Sequence, residues 1–450
     1  MNIKEYLKTC NEIYHTTLNP REPGVCRIHL VPPKKVKPGI PWTVIVNGYS
    51  VIPLQSAWAV LLRLLIENIN RTSGKALSDE DVEKIIEDTV KDAKTIFKNI
   101  PEKDIKTDIK DMVVTFSRLA VGKEPSSKIG YLTLSQYAKY MKAPHRMDIM
   151  VSAMKKNDVW NCNQKCLHCY ACDEKMSEVN ELGTEDWKKI IDNLKKACIP
   201  AITFTGGEAT IRPDLVDLVE YSKWFVTRLN TNGILLTESL CKRLYDASLD
   251  SVQVTLYSYD KDIHNKLVGG EHFDQTVQGI KNALAAGLDV SINTPLCSIN
   301  KDYVEMVKFA HSLGVKYFSC SGLIPTGNAK TEESTITALG KKEITEVVKT
   351  AFEYTSTNEL EIAFTSPGWI SDSALKSMKM VVPSCGACLS NMAIAPNGDV
   401  IPCQSYLNGT VLGNMLKDKW TTIWNNKQTK EIRKKAASNH AVCLLKEETK

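Results

Sequence analysis

Apolar runs alternate with amphipathic helical patterns from about residue 148 onwards. The apolar runs occupy residues 148–153, 201–205, 226–230, 252–256, 289–293 and 316–320. The helical patterns between them cover residues 184–197, 213–224, 237–247, 273–286 and 301–313. Strands that alternate with helices of this length are typical of βαβ units around a parallel sheet. The pattern therefore predicts an α/β domain of six strand–helix units.

The first 125 residues have a different pattern. Two apolar runs flank Asn47-Gly48, and these two residue types tolerate the positive φ of a type I′ turn, which predicts a β-hairpin. Helical patterns follow at residues 56–70, 78–97 and 104–120. Ser78 with Asp81 three positions later is typical of a capped helix start. The sequence thus predicts a small α+β domain over residues 1–125.

Composition limits the classes of protein that fit this chain. The 450 residues suggest two or three domains, and a net charge of +5 over that length gives no case for a nucleic-acid partner. There is no run of about 18 apolar residues that could span a bilayer. The N-terminus lacks the apolar core of a signal peptide. We therefore expect a soluble, cytoplasmic protein with neither a membrane nor a nucleic acid as partner.

Fourteen cysteines are many for a chain of this predicted location. In a reducing compartment, clustered cysteines indicate metal binding or catalysis rather than disulfides. One cluster is Cys162, Cys166 and Cys169, spaced C-x3-C-x2-C and followed directly by Tyr170. Thiolates are soft ligands that suit zinc or an iron–sulfur centre. A structural zinc site takes four protein ligands, whereas this loop supplies three and leaves one metal position open.

This loop resembles the signature of the radical S-adenosylmethionine (SAM) superfamily. The resemblance implies that three cysteines hold a 4Fe-4S cluster and that SAM occupies the fourth iron. It also implies that the α/β domain, residues 146–328, is a partial (βα)6 barrel related to the TIM barrel. Zinc, a disulfide and inert thiols are the alternatives for the three cysteines.

The predicted strand ends carry further residues of the same family pattern. Gly206-Gly207-Glu208 follows the second strand; glycines permit close backbone approach, and a carboxylate there can bind an ammonium group. The resemblance assigns this segment to the methionine amino group of SAM and places Tyr170 near the adenine. The resemblance also implies SAM contacts at three similar positions, Asn232, Thr255 and Asn293. For Thr255 and Asn293, the alternative is a polar residue that merely closes a strand.

One family position differs in this chain. Many peptide-modifying members have a histidine and then an Arg-Gly pair after the fourth strand, and here Val268 stands in the arginine position before Gly269. We therefore assign His264 a local structural hydrogen bond and no catalytic role. The sequence identifies no catalytic side chain beyond the ligands of the cluster.

The second cysteine cluster lies near the C-terminus. Cys385-Gly-Ala-Cys388 precedes a predicted hairpin at Asn397-Gly398, which returns the chain to Cys403. The pattern resembles a shortened SPASM/twitch domain, here residues 384–450, reached through a connecting helical segment over residues 329–383. The resemblance implies one auxiliary 4Fe-4S cluster held by Cys385, Cys388, Cys403 and Cys443. If Cys443 is not a ligand, one iron is open to substrate or to another thiol; zinc is the alternative metal.

The resemblance implies an enzyme that cleaves SAM reductively and abstracts a hydrogen atom from a substrate. A hairpin followed by helices is similar to the peptide-recognition domain fused to peptide-modifying members, although an unrelated helical cap fits equally well. We expect a maturase of a ribosomally made peptide that forms a thioether or carbon–carbon crosslink or otherwise oxidises a side chain. Small-molecule or cofactor biosynthesis and a non-enzymatic metal or redox sensor are the alternatives. Implied partners are the substrate and an electron donor such as flavodoxin or ferredoxin.

Overall fold

The computed structural model describes residues 3–18, 25–37, 39–48, 50–72, 77–121, 123, 138–438 and 442–447. The chain divides into two units. The first contains Met1–His145 with Leu194–Pro200, and the second contains Arg146–Asn193 with Ala201–Lys450. Among the described residues, no helix has both the length and the apolar composition needed to cross a membrane.

The first unit contains a four-stranded antiparallel sheet in the order β1-β2-β3-β4. Its strands are β1 Tyr14–Leu18, β2 Cys26–Val31, β3 Trp42–Val46 and β4 Ser50–Leu54. The predicted hairpin joins β3 to β4, and both Asn47 (φ 50°) and Gly48 (φ 78°) adopt the positive φ that the turn requires. The sequence pattern missed β1 and β2, so the sheet is larger than the hairpin alone.

Helices cover this sheet and bury its apolar side chains. They are α1 Ile3–Lys8, α2 Ser56–Arg71, α3 Asp79–Ile96 and α4 Glu102–Ala120. The predicted capping box is present, because Ser78 Oγ accepts from the Asp81 N–H and the Asp81 carboxylate accepts from the Ser78 N–H. Trp42, Leu62 and Ile109 are among the fully buried side chains of this core.

The second unit is organised around a ten-stranded sheet in the order β13-β12-β11-β10-β9-β8-β5-β14-β15-β16. Neighbouring strands from β5 to β13 pair in parallel and follow one another as they do along the chain. Their bounds are β5 Arg146–Ser152, β8 Ala201–Gly206, β9 Val226–Thr231, β10 Ser251–Thr255, β11 Asp289–Pro295, β12 Tyr317–Ser321 and β13 Glu361–Phe364. The predicted α/β class is confirmed, and the sequential order is that of a partial barrel.

One strand differs from the prediction. The connecting segment, residues 329–383, was expected to be helical, yet it also contributes β13, which pairs in parallel with β12. The strand β13 has four residues, and only Phe364 among them is buried. An apolar run this short cannot be recognised as a strand from the sequence. The six predicted strand–helix units are therefore followed by a seventh parallel strand.

Helices connect the parallel strands. They are α5 Thr184–Lys196, α6 Leu215–Tyr221, α7 Glu238–Asp246, α8 Lys261–Val268, α9 Phe273–Ala285, α10 Tyr303–Ser312, α11 Glu332–Thr335, α12 Lys341–Thr357 and α13 Asp372–Ser377. Short 3-10 turns lie at Ala138–Tyr140, Ala209–Ile211, Ser298–Asn300 and Gly327–Lys330, and a small antiparallel ladder joins β6 Lys155–Lys156 to β7 Val159–Trp160.

The C-terminal cysteine region extends the same sheet. β14 Asn391–Ile394 pairs in parallel with β5, and β15 Asp399–Ile401 pairs antiparallel with β14 through the predicted turn at Asn397-Gly398. β16 Gly413–Asn414 completes the sheet, and helices α14 Trp420–Asn425, α15 Lys427–Ala436 and α16 Leu444–Glu447 follow. The pairing of β14 with β5 joins residues about 245 positions apart. The sequence pattern around either strand therefore gives no sign of it.

Candidate functional site

A cavity of about 480 Å³ lies within the second unit and receives side chains from its parallel strands and from the C-terminal region. In α/β barrels, the carboxyl ends of the strands and the loops after them form the site. All seven residues predicted to contact SAM line this cavity: Tyr170, Gly206, Gly207, Glu208, Asn232, Thr255 and Asn293. Six of the seven predicted metal ligands line it as well: Cys162, Cys166, Cys169, Cys385, Cys403 and Cys443. Cys388, the seventh, is fully buried and does not line the cavity.

The first cysteine loop is held on one side by the end of helix α8. The Lys165 N–H donates to the Val268 carbonyl at 3.1 Å, and the Leu167 N–H donates to the Leu267 carbonyl at 2.9 Å. Gly269 follows with φ 69°, and a Cβ there would lie 2.4 Å from the Lys165 carbonyl oxygen. The helix end therefore fixes the main chain of the loop between Cys162 and Cys169.

The segment after β12 holds the other side of the loop. Asn328 donates from its N–H to the Cys169 carbonyl at 2.8 Å and from Nδ2 to the Cys166 carbonyl at 2.9 Å. Gly327 adopts φ 57°, and a Cβ there would lie 2.3 Å from the Cys169 carbonyl oxygen. Hydrogen bonds on both sides thus fix the backbone that carries the thiols, while the thiols remain partly exposed to the cavity.

The three thiols lie in a weakly polar environment. Burial raises the pKa of the Cys162 thiol to about 12 and raises the pKa of Cys166 and Cys169, and Cys169 also raises the pKa of the other two through charge repulsion. Their mutual repulsion means that the thiolate forms need positive charge between them. A bound metal centre supplies such charge and releases protons as it binds.

The Gly206-Gly207 pair packs against the end of β5. A Cβ at Gly206 would lie 2.3 Å from the Ser152 carbonyl oxygen, and a Cβ at Gly207 would lie 2.9 Å from that of Ala153. The Gly207 N–H donates to the Ser152 carbonyl at 2.9 Å. Glycine is therefore required here by close strand packing, a reason that the sequence pattern did not indicate.

Glu208 presents a buried carboxylate, 3% exposed, at the wall of the cavity. One oxygen accepts from the Thr210 N–H at 3.0 Å, the Thr210 hydroxyl at 2.6 Å and the Thr231 hydroxyl at 2.7 Å. The other oxygen accepts from the Asn232 N–H at 2.8 Å. These neutral donors orient the carboxylate without neutralising it, so its charge is available to a cation in the cavity.

The remaining predicted SAM contacts have different surroundings. Asn232 donates from Nδ2 to Asn163 Oδ1 at 2.6 Å, so its side chain contacts the first cysteine loop. Asn293 Oδ1 accepts from the Ser319 hydroxyl at 2.9 Å. Thr255 faces the cavity from β10. Burial and the neighbouring Cys169 raise the pKa of Tyr170, whose phenol therefore stays protonated at neutral pH.

His264 makes a local hydrogen bond, as the sequence predicted. Its side chain is fully buried, and Nδ1 accepts from the Tyr257 N–H at 3.3 Å. Burial lowers its pKa to about 4, so the ring is neutral. These contacts are those of a structural histidine.

Sequence reasoning missed several polar residues that line the cavity. Gln164 and His168 belong to the first cysteine loop, and each has a buried nitrogen, Gln164 Nε2 and His168 Nδ1, with no partner among the described residues. Arg146 and Arg228 extend from β5 and β9 into the same cavity. A charged residue inside an apolar strand run was the available signal for Arg228.

The second cysteine group is drawn from three separate segments. Burial and Cys385 raise the pKa of Cys388 to about 12, and Cys385 also raises the pKa of Cys403 and of Cys443. Cys385, Cys403 and Cys443 line the same cavity, and the Cys388 N–H donates to the Pro402 carbonyl at 3.0 Å, next to Cys403 in the chain. The Cys443 N–H donates to the Pro367 carbonyl at 3.1 Å, which attaches the last ligand to the segment after β13.

A buried arginine lies beside this group. Arg433 donates from Nε to the Cys388 carbonyl at 2.9 Å and from Nη2 to the Trp424 carbonyl at 2.7 Å. Its guanidinium carbon lies 3.4 Å from the centre of the Trp424 ring. No carboxylate pairs with Arg433 among the described residues, so its charge acts on the cysteine group directly.

The donor sets suit a cluster and a small molecule rather than a single ion. No three His, Cys, Asp or Glu side chains in the described part of the chain are close enough to hold one metal ion. Instead, three thiols, a charged carboxylate and unpartnered polar atoms such as Thr203 Oγ1 surround one cavity. A 4Fe-4S cluster takes thiolate ligands, and the remaining polar groups fit a zwitterionic ligand such as SAM.

Two family models match this chain. The radical SAM superfamily model matches residues 161–309, and the model of the iron-sulfur cluster-binding SPASM domain matches residues 385–445. The chain therefore contains a radical SAM domain followed by a SPASM domain. The first implies SAM and a 4Fe-4S cluster as cofactors, and the second implies auxiliary iron–sulfur binding, as the cysteine spacings predicted.

Curated relatives share parts of the chain. It is 33% identical over 201 residues to Fe-coproporphyrin III synthase of Methanosarcina barkeri, and the matched region covers 43% of this chain and 48% of that protein. It is 26% identical over 274 residues to mycofactocin maturase MftC of Mycobacterium tuberculosis, and the matched region covers 59% of this chain and 68% of that protein. The chain thus spans about half the length of the first relative.

A solved structure has the same fold over most of the chain. Streptococcus suis SuiB, determined with the precursor peptide SuiA bound, superposes with a TM-score of 0.59 at 18% identity. The match covers 87% of this chain and 87% of that protein. At this identity the comparison establishes the fold, and the activity must be argued from the site.

Proposed function

We propose that this protein is a radical SAM oxidoreductase that modifies a side chain of a ribosomally made peptide. The observation that carries the proposal is the single cavity shared by the first cysteine loop, the Glu208 carboxylate and the C-terminal cysteines. A substrate in this cavity can reach both cysteine groups at once. A radical enzyme with an auxiliary electron acceptor needs such an arrangement.

The chain's own residues have separate tasks in this proposal. Cys162, Cys166 and Cys169 hold the 4Fe-4S cluster, and Glu208 binds the SAM ammonium group by charge-assisted hydrogen bonds. Asn232 binds the cysteine loop through Asn163 and orients Glu208 through its N–H. When bound, the cluster and SAM supply the one-electron reduction that yields a 5′-deoxyadenosyl radical for hydrogen abstraction.

The C-terminal cysteines have the second role. Cys385, Cys388, Cys403 and Cys443 would hold one auxiliary cluster, which would supply an acceptor for the electron left on the substrate after hydrogen abstraction. Cys443 is proposed as the fourth ligand because its side chain lines the same cavity as Cys385 and Cys403. An external donor such as flavodoxin or ferredoxin supplies the electron for SAM cleavage.

Two observations support a peptide substrate. The solved structure that shares the fold over most of the chain has a precursor peptide bound. The first unit adds a four-stranded antiparallel sheet with helices, and we assign to it the recognition of the precursor. A small-molecule substrate is the second candidate, and the 33% identity to Fe-coproporphyrin III synthase favours it.

The test is the mass change of the substrate. The iron-loaded protein is incubated anaerobically with SAM, a reductant and either a precursor peptide or a tetrapyrrole precursor of Fe-coproporphyrin III, and 5′-deoxyadenosine and product masses are measured. Loss of two hydrogens from the peptide supports a crosslink, and conversion of the tetrapyrrole alone supports the second candidate. Absence of 5′-deoxyadenosine under all conditions contradicts both.

The role of the first unit has its own measurement. A chain lacking residues 1–120 should bind the precursor at least about tenfold more weakly, because a recognition surface contributes affinity independently of the reaction site. The shortened chain must still cleave SAM, which controls for misfolding. Equal affinity of the two chains for the precursor would remove the recognition role.

A further inference from the structure

Two arginines enter the cavity at the end opposite to the SAM-binding residues proposed above. Asp148, Thr203, Arg228 and Ser251 are register partners on neighbouring strands, so they form one layer of inward-facing side chains. Arg146 lies one layer further down β5 and also lines the cavity. None of these residues belongs to the cysteine loop or to the Gly206-Gly207-Glu208 segment.

The layer carries an excess of positive charge. Arg146 Nε lies 2.8 Å from Asp148 Oδ1, and Asp148 is 1% exposed, so this buried carboxylate forms an ion pair with Arg146. Arg228 Nε donates to the Ser251 hydroxyl at 3.3 Å. The two terminal nitrogens of Arg228 have no hydrogen-bond partner among the described residues. Two guanidinium groups therefore share one carboxylate.

The position of Arg228 is unfavourable without a further anion. Burial and the nearby Arg146 lower its pKa, and Asp148 only partly opposes this effect. Thr203, its register partner, is 1% exposed and has an unpartnered hydroxyl. Unpaired buried polar groups are costly, so a cluster of them around a cavity indicates a ligand with matching groups. A carboxylate matches, since it carries one negative charge and accepts two parallel hydrogen bonds from a guanidinium.

The carboxylate of SAM cannot be this ligand if Glu208 binds the SAM ammonium. The two groups share one carbon atom, so the amino nitrogen and a carboxylate oxygen are less than about 4 Å apart. The Thr231 hydroxyl donates a hydrogen bond to Glu208. Arg228 lies three residues before Thr231, a separation of about 10 Å along the strand. The Ser251 contact keeps the Arg228 head at its own layer and away from Glu208.

We propose that Arg228, assisted by Arg146, binds a carboxylate of the substrate and so selects acidic substrates. This assignment deepens the function proposed above and rests on it for the location of SAM. Asn391 pairs with Arg146 in the sheet, and Cys385 and Cys403 line the same cavity. A substrate anchored at Arg228 thus lies in the cavity that both cysteine groups line.

The test compares probes that differ only in charge. The iron-loaded enzyme, saturated with SAM, is titrated by calorimetry with a blocked alanine pentapeptide that has a central glutamate, with its glutamine counterpart, and with succinate. We expect the glutamate peptide to bind at least about tenfold more tightly than the glutamine peptide, because hydrogen bonds to charged groups contribute this much. Equal affinities in the wild-type protein would overturn the proposal without any variant.

Variants locate the effect. Arg228→Gln should abolish the preference for glutamate, Arg228→Lys should retain part of it, and Arg243→Gln, on the exposed face of α7, should leave it unchanged. SAM affinity should stay within about twofold in all three. An equal loss of SAM affinity in Arg228→Gln would assign the site to SAM and reject the proposal. Binding of succinate but not of the glutamate peptide would keep the carboxylate site and reject the peptide as substrate.

Discussion

The two cysteine groups of this protein are built in different ways. The first takes three thiols from eight consecutive positions, and the loop between them is held by main-chain hydrogen bonds to α8 and to the segment after β12. The second takes four thiols from three segments between Cys385 and Cys443, and its last member is attached to the segment after β13. One site is local in sequence, whereas the other exists only in the folded chain.

This difference predicts different responses to substitution. A local loop whose backbone is fixed from outside can lose its metal and keep its shape. A group assembled from distant segments is held together partly by its metal, so metal binding and folding are coupled there.

The largest effect is expected from the first loop. A Cys162/Cys166/Cys169→Ala triple variant should show no 5′-deoxyadenosine above background and should lose about four iron atoms per chain. Its melting temperature should change little, because the loop contacts are made by the backbone. Chromatography of the reaction measures 5′-deoxyadenosine, anaerobic iron analysis measures the metal content, and calorimetry measures the melting temperature. Cys172→Ala, a buried thiol just beyond the loop, is the matched control, and bound zinc in place of iron would contradict the assignment.

The second group should show the opposite balance. Cys403→Ala should abolish substrate modification and lower the melting temperature by several degrees, while uncoupled SAM cleavage persists within about threefold. Cys443→Ala should have the same effect if Cys443 is the fourth ligand. Cys241→Ala, a buried thiol in α7, controls for the loss of a thiol as such. Unchanged stability in Cys403→Ala would show that this group needs no metal to hold its segments.

Glu208 sharpens the contrast within the first site. Glu208→Gln removes the negative charge while it keeps the size of the side chain, and SAM affinity should fall about 10- to 100-fold, as expected for a hydrogen bond to a charged group. Iron content should stay unchanged, because Glu208 is not a ligand. Thr231→Val removes one of the donors to the carboxylate and should weaken SAM binding less. A loss of iron in Glu208→Gln would mean that the loop itself is disturbed.

The smallest effect concerns the charge beside the second group. Arg433→Met should make the midpoint potential of the auxiliary cluster more negative by tens of millivolts, because a nearby cation stabilises the reduced state. Arg433→Lys should shift it less. Redox titration followed by electron paramagnetic resonance measures the potential, and SAM cleavage without substrate should be unaffected. A potential unchanged in both variants would assign Arg433 a packing role against Trp424 only.

Much of the fold could be predicted because its signals are local. The six predicted strand runs agree with the observed strands to within two residues at each end, since each run is apolar and bounded by a helical pattern. The two Asn-Gly turns were equally clear, because only a few residue types adopt positive φ without strain. The cysteine spacing identified the radical SAM and SPASM domains for the same reason.

The rest depends on contacts between distant residues. Nothing in the sequence near Asn391 shows that its strand pairs with the strand of Arg146. Likewise, nothing near Gly327 shows that any side chain at this position would collide with the Cys169 carbonyl. The side chain of Asn232 was predicted to contact SAM, and its hydrogen bond to Asn163 could be found only from the folded chain. Arg228 carried a weak signal, a charge within a strand, which gained meaning only when its partners in the layer were known.

The pairing of β14 with β5 has a practical consequence for experiments on truncated chains. β5 lies inside the sheet only because β14 occupies its outer edge. Without residues 384–450, the backbone N–H and C=O groups of residues 146–149 on that side would lose their partners in β14, next to the apolar Met147 and Ile149. An open apolar strand edge promotes aggregation with other chains. Loss of activity in a chain that lacks this region would therefore reflect self-association as much as missing cysteines, and point variants are the informative choice.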